Sequence, residues 1–152
     1  MVPNTRQDLM KILLAIDDSK FSEAAAESLR GQFRPEETEV RVLQVVEPIA
    51  ISEPPEMAPG YFPELEDQLR RAREVVDRVA KMLSSAGFRV TTSVAAGDAR
   101  SVILEDAAAW HADLIVLGSH GRTGLGRFFL GSVSEAVARH AHCSVQIVRI
   151  PS

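Results

Sequence analysis

Short apolar segments that alternate with helical patterns constrain the fold of this chain most strongly. Five segments are apolar or β-branched enough to be buried strands, at residues 9–16, 38–48, 88–97, 112–118 and 144–150. In the stretches between them, apolar residues recur every three or four positions, as in amphipathic helices. Strands that are apolar on both faces and alternate with helices form parallel sheets covered on both sides. We therefore expect a single-domain, Rossmann-like α/β fold, a three-layer sandwich around a five-stranded parallel sheet in the order 3-2-1-4-5.

Local signals predict where two of the helices lie. One apolar stripe crosses the middle of the chain, through Leu65, Leu69, Ala72, Val76, Val79 and Leu83. Gly87 follows this stripe and is a plausible helix stop. Asp98 precedes the next helical pattern and is a candidate N-cap, because its side chain can accept a hydrogen bond from the first turn.

Length, composition and charge narrow the class of protein. A length of 152 residues fits one domain. The net charge of −4 argues against a nucleic-acid binder, which would have a basic face. Its apolar runs are far shorter than the roughly 20 residues that a membrane helix needs. The single cysteine, Cys143, excludes an internal disulfide and reads as a small buried residue before the last strand. With no secretory signal pattern, we expect a cytoplasmic protein.

The chain is expected to divide into a tail, one domain and one long loop. Residues 1–8 should form a flexible N-terminal tail, and 9–150 the domain. Residues 47–63 hold five of the eight prolines and predict a long loop without regular structure. Loops of this length are uncommon in compact domains and are often functional.

Five of the nine glycines lie between Gly118 and Gly131, at the junction of a strand and a helix. The two well-known phosphate-binding motifs do not fit this stretch. Arg127 and Phe128 stand where a P-loop needs lysine and serine or threonine, and Phe129 replaces the third glycine of a dinucleotide fingerprint.

The same stretch nevertheless has the properties of an anion site. Glycines let the backbone approach a ligand closely, and the free N–H groups of a helix start attract phosphate. Ser132 and Glu135 form a capping-box pattern, so the helix should begin near Ser132. Three nearby side chains add positive charge or hydrogen-bond donors: His120, Arg122 and Arg127. The alternative is a tight connection in which Ser132 is only a cap.

The predicted topology places this stretch beside Asp17. Ligands of open parallel sheets bind beyond the carboxyl ends of the strands, where the strand order reverses. In the order 3-2-1-4-5 that point lies between the strand ending at Asp17 and the strand ending at Gly118. Asp17 could accept hydrogen bonds from ribose hydroxyls, or it could simply cap the following helix.

The whole pattern resembles the universal stress protein family. The ATP-binding members of this family carry a spaced motif: Gly, two residues, Gly, nine residues, Gly, and then Ser or Thr. In this chain the same spacing is present without a gap at Gly118, Gly121, Gly131 and Ser132. The segments KILLAIDDS, VRVLQVVEP and HCSVQIVR also resemble the family's first, second and last strands. Ser144 stands where many members have proline. The likeness covers residues 9 to 150.

The resemblance implies a ligand and a role for each site residue. ATP is the implied cofactor, with Mg or Mn on its phosphates, and a homodimer through the last strand, 144–150, is the implied assembly. Asp17 would contact the ribose or adenine, and Val45 the adenine through its backbone. Gly118 would lie near the ribose. The motif residues would hold the phosphate side: Ser119, His120, Gly121, Arg122, Gly131, Ser132, Val133 and Ser134.

No catalytic residue set is apparent. Hydrolysis of ATP needs a positioned water, and His120 is the only nearby candidate to orient one. The first hypothesis is therefore an ATP-binding stress-response regulatory protein with at most slow hydrolysis. The alternatives are an ATP-using hydrolase or nucleotidyl transferase on a related α/β fold, and an interaction module with a vestigial loop.

Overall fold

The computed structural model describes residues 9–17, 21–48, 63–118 and 131–149, and it forms alternating strands and helices. The strands are β1 (Met10–Ile16), β2 (Thr38–Val46), β3 (Arg89–Ala96), β4 (Leu114–Gly118) and β5 (Ser144–Val148). The helices are α1 (Phe21–Gln32), α2 (Pro63–Ser85), α3 (Ala99–Trp110) and α4 (Ser132–His140). A short 3-10 turn at Pro35–Glu37, which the sequence patterns did not predict, leads into β2.

The sheet confirms the predicted topology. All five strands are parallel, and their order is β3-β2-β1-β4-β5. β1 lies at the centre, where Leu14 pairs with Val42 on one side and with Val116 on the other. The chain moves outward from β1 through β2 to β3, then crosses back to β4 and β5. The strand order therefore reverses between β1 and β4.

Two apolar layers hold the helices against the two faces of the sheet. On one face, α1 and α2 pack against alternate residues of β1, β2 and β4; the fully buried members include Ile12, Leu14, Leu29, Val76 and Leu83. On the other face, α3 and α4 pack against the intervening residues; the members include Leu13, Leu43, Ile103, Ile115 and Val137. Burial on both faces explains why the central strands lack polar alternation.

The ends of α2 and α3 follow the predicted signals. The four C-terminal members of the α2 stripe are buried, from Ala72 to Leu83, and Gly87 follows the helix with a φ of 100°. This backbone conformation favours glycine, as the predicted helix stop requires. Asp98 caps α3, because its carboxylate accepts the Ser101 N–H at 3.2 Å.

Three predicted segments lie outside the described residues: the N-terminal tail 1–8, nearly all of the proline-rich segment, at 49–62, and the interior of the glycine-rich stretch, at 119–130. In the part of the chain that the structure does describe, no helix combines the length and the apolar character needed to cross a membrane.

Candidate functional site

The carboxyl ends of β1 and β4 lie side by side at the point where the strand order reverses. Ala15 of β1 pairs with Leu117 of β4, one residue before each strand ends. Asp17 follows β1 directly, and Gly118 is the last residue of β4. This is the position at which open parallel sheets bind ligands.

A buried serine fastens the end of β1 to the first turn of α1. The Ser22 hydroxyl donates to the Asp17 carbonyl oxygen at 2.6 Å and accepts the Asp17 N–H at 3.1 Å. The Asp17 carboxylate oxygen Oδ1 lies 3.3 Å from the same hydroxyl. Since Ser22 is only 5% exposed, these contacts fix where Asp17 leaves the sheet.

α4 begins at Ser132, as the sequence pattern predicted, but its N-cap is not the predicted residue. Gly131 is the N-cap, with φ −61° and ψ 158°, and no side chain among the described residues caps the helix. The capping-box prediction is therefore wrong: Ser132 is already helical, and the Glu135 carboxylate pairs with Arg139 at 2.9 Å. Glu135 instead donates its N–H to the Gly131 carbonyl at 3.0 Å, which closes the first turn.

The first turn of α4 therefore presents free donors at the carboxyl edge of the sheet. The N–H groups of Ser132, Val133 and Ser134 precede the first intrahelical bond and have no acceptor among the residues that the structure describes. The partial positive charge of the helix dipole adds to them. Chemically, this is an arrangement that binds an anion.

The glycine at the N-cap is not required by backbone conformation. A φ of −61° is open to every residue, unlike the positive φ of Gly87 and Gly97. A residue without a side chain lets a ligand approach the following N–H groups closely, and this is one physical reason for glycine at this position.

A second hydrogen bond fixes α4 relative to β4. Ser134, which is 4% exposed, donates its hydroxyl to the Gly118 carbonyl at 2.8 Å. The two residues are sixteen positions apart. The bond sets the first turn of α4 against the end of β4 whatever path the intervening residues take.

Val45 and Val133 reach the same apolar layer from two different elements. Both are partly buried and pack against the layer of α3, α4 and the sheet. Val45 lies near the end of β2, where it pairs with Ala95 of β3. The predicted adenine side and the predicted phosphate side are therefore joined by one packed surface.

A cleft of about 440 Å³ opens beside this surface, and we call it the carboxyl-edge cleft. Its described lining consists of Glu47, Pro48, Gly97, Asp98, Arg100, Ser132 and Val133. These residues follow β2 and β3 or begin α3 and α4, so four elements converge at the cleft. Only Ser132 and Val133 among them were predicted as site residues.

The Glu47 and Asp98 carboxylates, which line the cleft, accept hydrogen bonds from the first turn of α3. Glu47 accepts the Ala99 N–H at 3.0 Å, and Asp98 accepts from the Ser101 hydroxyl at 2.9 Å as well as from its N–H. The hydrogen bonds from Ser101 and the nearby charge of Arg100 lower the pKa of Asp98. Asp98 is therefore ionised at neutral pH.

Sequence comparison assigns the family. The family model described as the universal stress protein family matches residues 9–149. This chain belongs to the universal stress protein family. It is 34% identical to the universal stress protein MJ0531 of Methanocaldococcus jannaschii over 142 residues, which are 93% of this chain and 82% of that protein. It is 30% identical to the universal stress protein Sll1388 of Synechocystis, over 91% of this chain and 97% of that one.

Solved structures of universal stress proteins share the fold. The hypothetical protein MJ0577, 28% identical, superimposes with a TM-score of 0.81 over 93% of this chain and 96% of its own. A universal stress protein in complex with cAMP, 19% identical, gives a TM-score of 0.67 over 91% and 96%. A family member from Arabidopsis thaliana with AMP bound, 17% identical, also gives 0.67, over 94% and 93%.

The structure of this universal stress protein describes part of the predicted site. It brings together Gly118, Gly131 and Ser134, places Asp17 at the neighbouring strand end, and packs Val45 and Val133 against the same apolar layer. Ser119, His120, Gly121 and Arg122 lie outside the described residues.

Sequence reasoning missed the cleft residues that follow β2 and β3. The sequence offered one sign that Arg100 has a role beyond stability, because a cation in the first turn of a helix is unfavourable for the helix dipole. It offered none for Glu47, since the bond from Glu47 to Ala99 depends on how two loops converge in space. Among the described residues, no group of three His, Cys, Asp or Glu side chains is placed to hold a metal ion.

Proposed function

We propose that this universal stress protein binds ATP at the carboxyl edge of its sheet and acts as a nucleotide-dependent regulatory protein of the stress response. The observation that carries the proposal is the start of α4. Three consecutive N–H groups, at Ser132, Val133 and Ser134, have no acceptor among the described residues at the strand-order reversal, and the glycine before them has a backbone conformation that does not require glycine. That arrangement fits phosphate oxygens.

The ends of the neighbouring strands would hold the nucleoside. Asp17 would accept from the ribose hydroxyls, Val45 would meet the adenine through its backbone, and Gly118 would lie near the ribose. Ser119, His120, Gly121 and Arg122, which complete the motif, would contact the nucleotide, with Gly121 and Arg122 near the phosphates. Family members with cAMP and with AMP bound support the choice of an adenine nucleotide over other anions.

Mg or Mn would accompany the phosphates and neutralise part of their charge. The described residues fit a metal held mainly by phosphate oxygens, since no set of three ligating side chains is present among them. The exposed Ser132 hydroxyl could add one oxygen. The Ser134 hydroxyl already donates to the Gly118 carbonyl.

The two carboxylates that line the carboxyl-edge cleft favour a regulatory role over the alternative, an ATP-using hydrolase or nucleotidyl transferase. Glu47 and Asp98 each accept backbone N–H groups of α3, so they hold a helix in place. A base that orients an attacking water needs a lone pair directed at the phosphate.

We propose further that the protein is cytoplasmic and forms a homodimer through 144–150.

Two measurements on the purified protein test the proposed function. Mass spectrometry of the small molecules released on denaturation should detect an adenine nucleotide, and calorimetric titration should show saturable ATP binding in the presence of Mg²⁺. Phosphate release at saturating ATP should be slow. Turnover well above about one per second would place the protein among ordinary enzymes and contradict the regulatory role. Absence of any adenine-nucleotide binding would contradict the proposal as a whole.

A further inference from the structure

Arg100 occupies a place in α3 that the fold itself does not favour. It lies in the first turn, where the positive end of the helix dipole repels a cation, and this turn holds no Asp or Glu. Its side chain is 53% exposed, and among the described residues it pairs with Asp98, Nη2 to Oδ1 at 3.4 Å, a long ion pair in water. Such a pair stabilises a fold little.

The position of Arg100 in the carboxyl-edge cleft explains its presence better. It is the only cation among the described residues that line this cleft, and Ser132 and Val133 line it too. A phosphate chain that starts at the free N–H groups of α4 can extend into the cleft toward the guanidinium. The planar guanidinium suits two parallel hydrogen bonds to phosphate oxygens.

The two carboxylates of the cleft make this cation more important. Glu47 and Asp98 accept hydrogen bonds from Ala99 and Ser101, which keep both carboxylates at the start of α3, where they repel an incoming phosphate. Among the described lining residues, the charges sum to −1 with Arg100 present and to −2 without it. Loss of Arg100 therefore removes an attraction and leaves two repulsions unbalanced.

We propose that Arg100 binds the terminal phosphate of the nucleotide and thereby makes the site prefer ATP to AMP. The inference rests on the proposed function and adds a specificity-determining residue from outside the glycine motif. AMP, with its single phosphate held near the nucleoside, does not reach Arg100. The β- and γ-phosphates of ATP do.

The test compares three variants in calorimetric titrations with ATP, AMP and adenosine at constant Mg²⁺. Arg100→Ala should weaken ATP binding about fivefold to tenfold and change AMP binding less than twofold. Arg100→Lys, which keeps the charge and loses the fork, should lie between Ala and the wild type. Arg78→Ala is the matched control, because Arg78 is an exposed arginine that pairs with Glu23 on the α1–α2 face. It should bind ATP as the wild type does.

Thermal unfolding separates this role from a structural one. Because Arg100 opposes the dipole of α3, Arg100→Ala should leave the Tm unchanged or raise it, whereas loss of a structural residue would lower it. Equal ATP affinity for Arg100→Ala and the wild type would overturn the inference. So would equal weakening of ATP, AMP and adenosine, which would place Arg100 at the nucleoside. A wild-type protein that binds none of the three would instead contradict the proposed function itself.

Discussion

At the scale of single residues, Ser132 and Ser134 in the first turn of α4 have different structural roles. Ser132 is exposed and makes no capping bond, whereas Ser134 is buried and donates to the Gly118 carbonyl at 2.8 Å. Removing the hydrogen-bond donor of a carbonyl oxygen that is shielded from water lowers the stability of the fold more than removing an exposed hydroxyl does. The position of the first turn of α4 therefore depends on the second serine.

Paired alanine substitutions test this difference. Ser134→Ala should lower the free energy of unfolding by about 1–2 kcal/mol, because it leaves the Gly118 carbonyl without its partner. Ser132→Ala, the control in the same turn, should change it by less than about 0.5 kcal/mol. Urea denaturation followed by circular dichroism gives both values. The reverse order of the two effects would show that Ser132 is the residue that anchors α4.

At the scale of elements, the start of α3 depends on an ionised carboxylate. Hydrogen bonds from Ser101 are the main cause of the lowered pKa of Asp98 in the folded protein. A group whose pKa is lowered on folding stabilises the fold above its unfolded pKa, and this contribution disappears as the pH falls through the folded pKa. Asp98 should therefore stabilise α3 at neutral pH and cease to do so in acid.

Asp98→Asn isolates this charge, since asparagine is also a good N-cap. The wild type should have the higher Tm at pH 7, and the difference should shrink as the pH falls below about 4 toward the lowered pKa. Thermal unfolding of both proteins across this range provides the measurement. A Tm difference that stays constant with pH would mean that the Asp98 charge contributes nothing.

The elements also show what sequence can predict and what it cannot. The strand order, the α2 stripe and the Asp98 cap follow from periodicity and from bonds within three residues, and the structure confirms them. α4 begins at Ser132, as predicted, but the capping box does not form, and the bond from Ser134 to a residue sixteen positions away could not be foreseen. Arg100 was missed because the cleft exists only where the loops after β2 and β3 meet α4. Such contacts depend on the packed sheet, which local patterns do not encode.

At the scale of the whole molecule, the two edges of the sheet differ. The β3 edge presents exposed polar side chains, among them Thr91 and Thr92, while β5 leaves the apolar residues Val145, Ile147 and Val148 only partly buried. An edge strand with uncovered apolar residues is prone to pair with another chain. The β5 edge is therefore the better candidate for the proposed homodimer.

Light scattering at high micromolar concentration should give a dimeric mass. Val145→Arg should shift the mass toward the monomer, because it places a charge on the proposed interface. Thr91→Arg, on the opposite edge, is the control and should remain dimeric. A monomeric wild type, or a Val145→Arg protein that remains dimeric, would show that β5 is not the interface.

The most direct test of the whole account is ATP binding by a Gly131→Val variant. The backbone at Gly131 has φ −61° and ψ 158°, which valine adopts readily, so the variant should fold. Gly31→Val is the matched control, because a Cβ at Gly31 meets no atom within 4 Å. Calorimetric titration should show ATP affinity reduced at least about tenfold by Gly131→Val and unchanged by Gly31→Val. A folded Gly131→Val protein that binds ATP like the wild type would contradict a phosphate site at the start of α4.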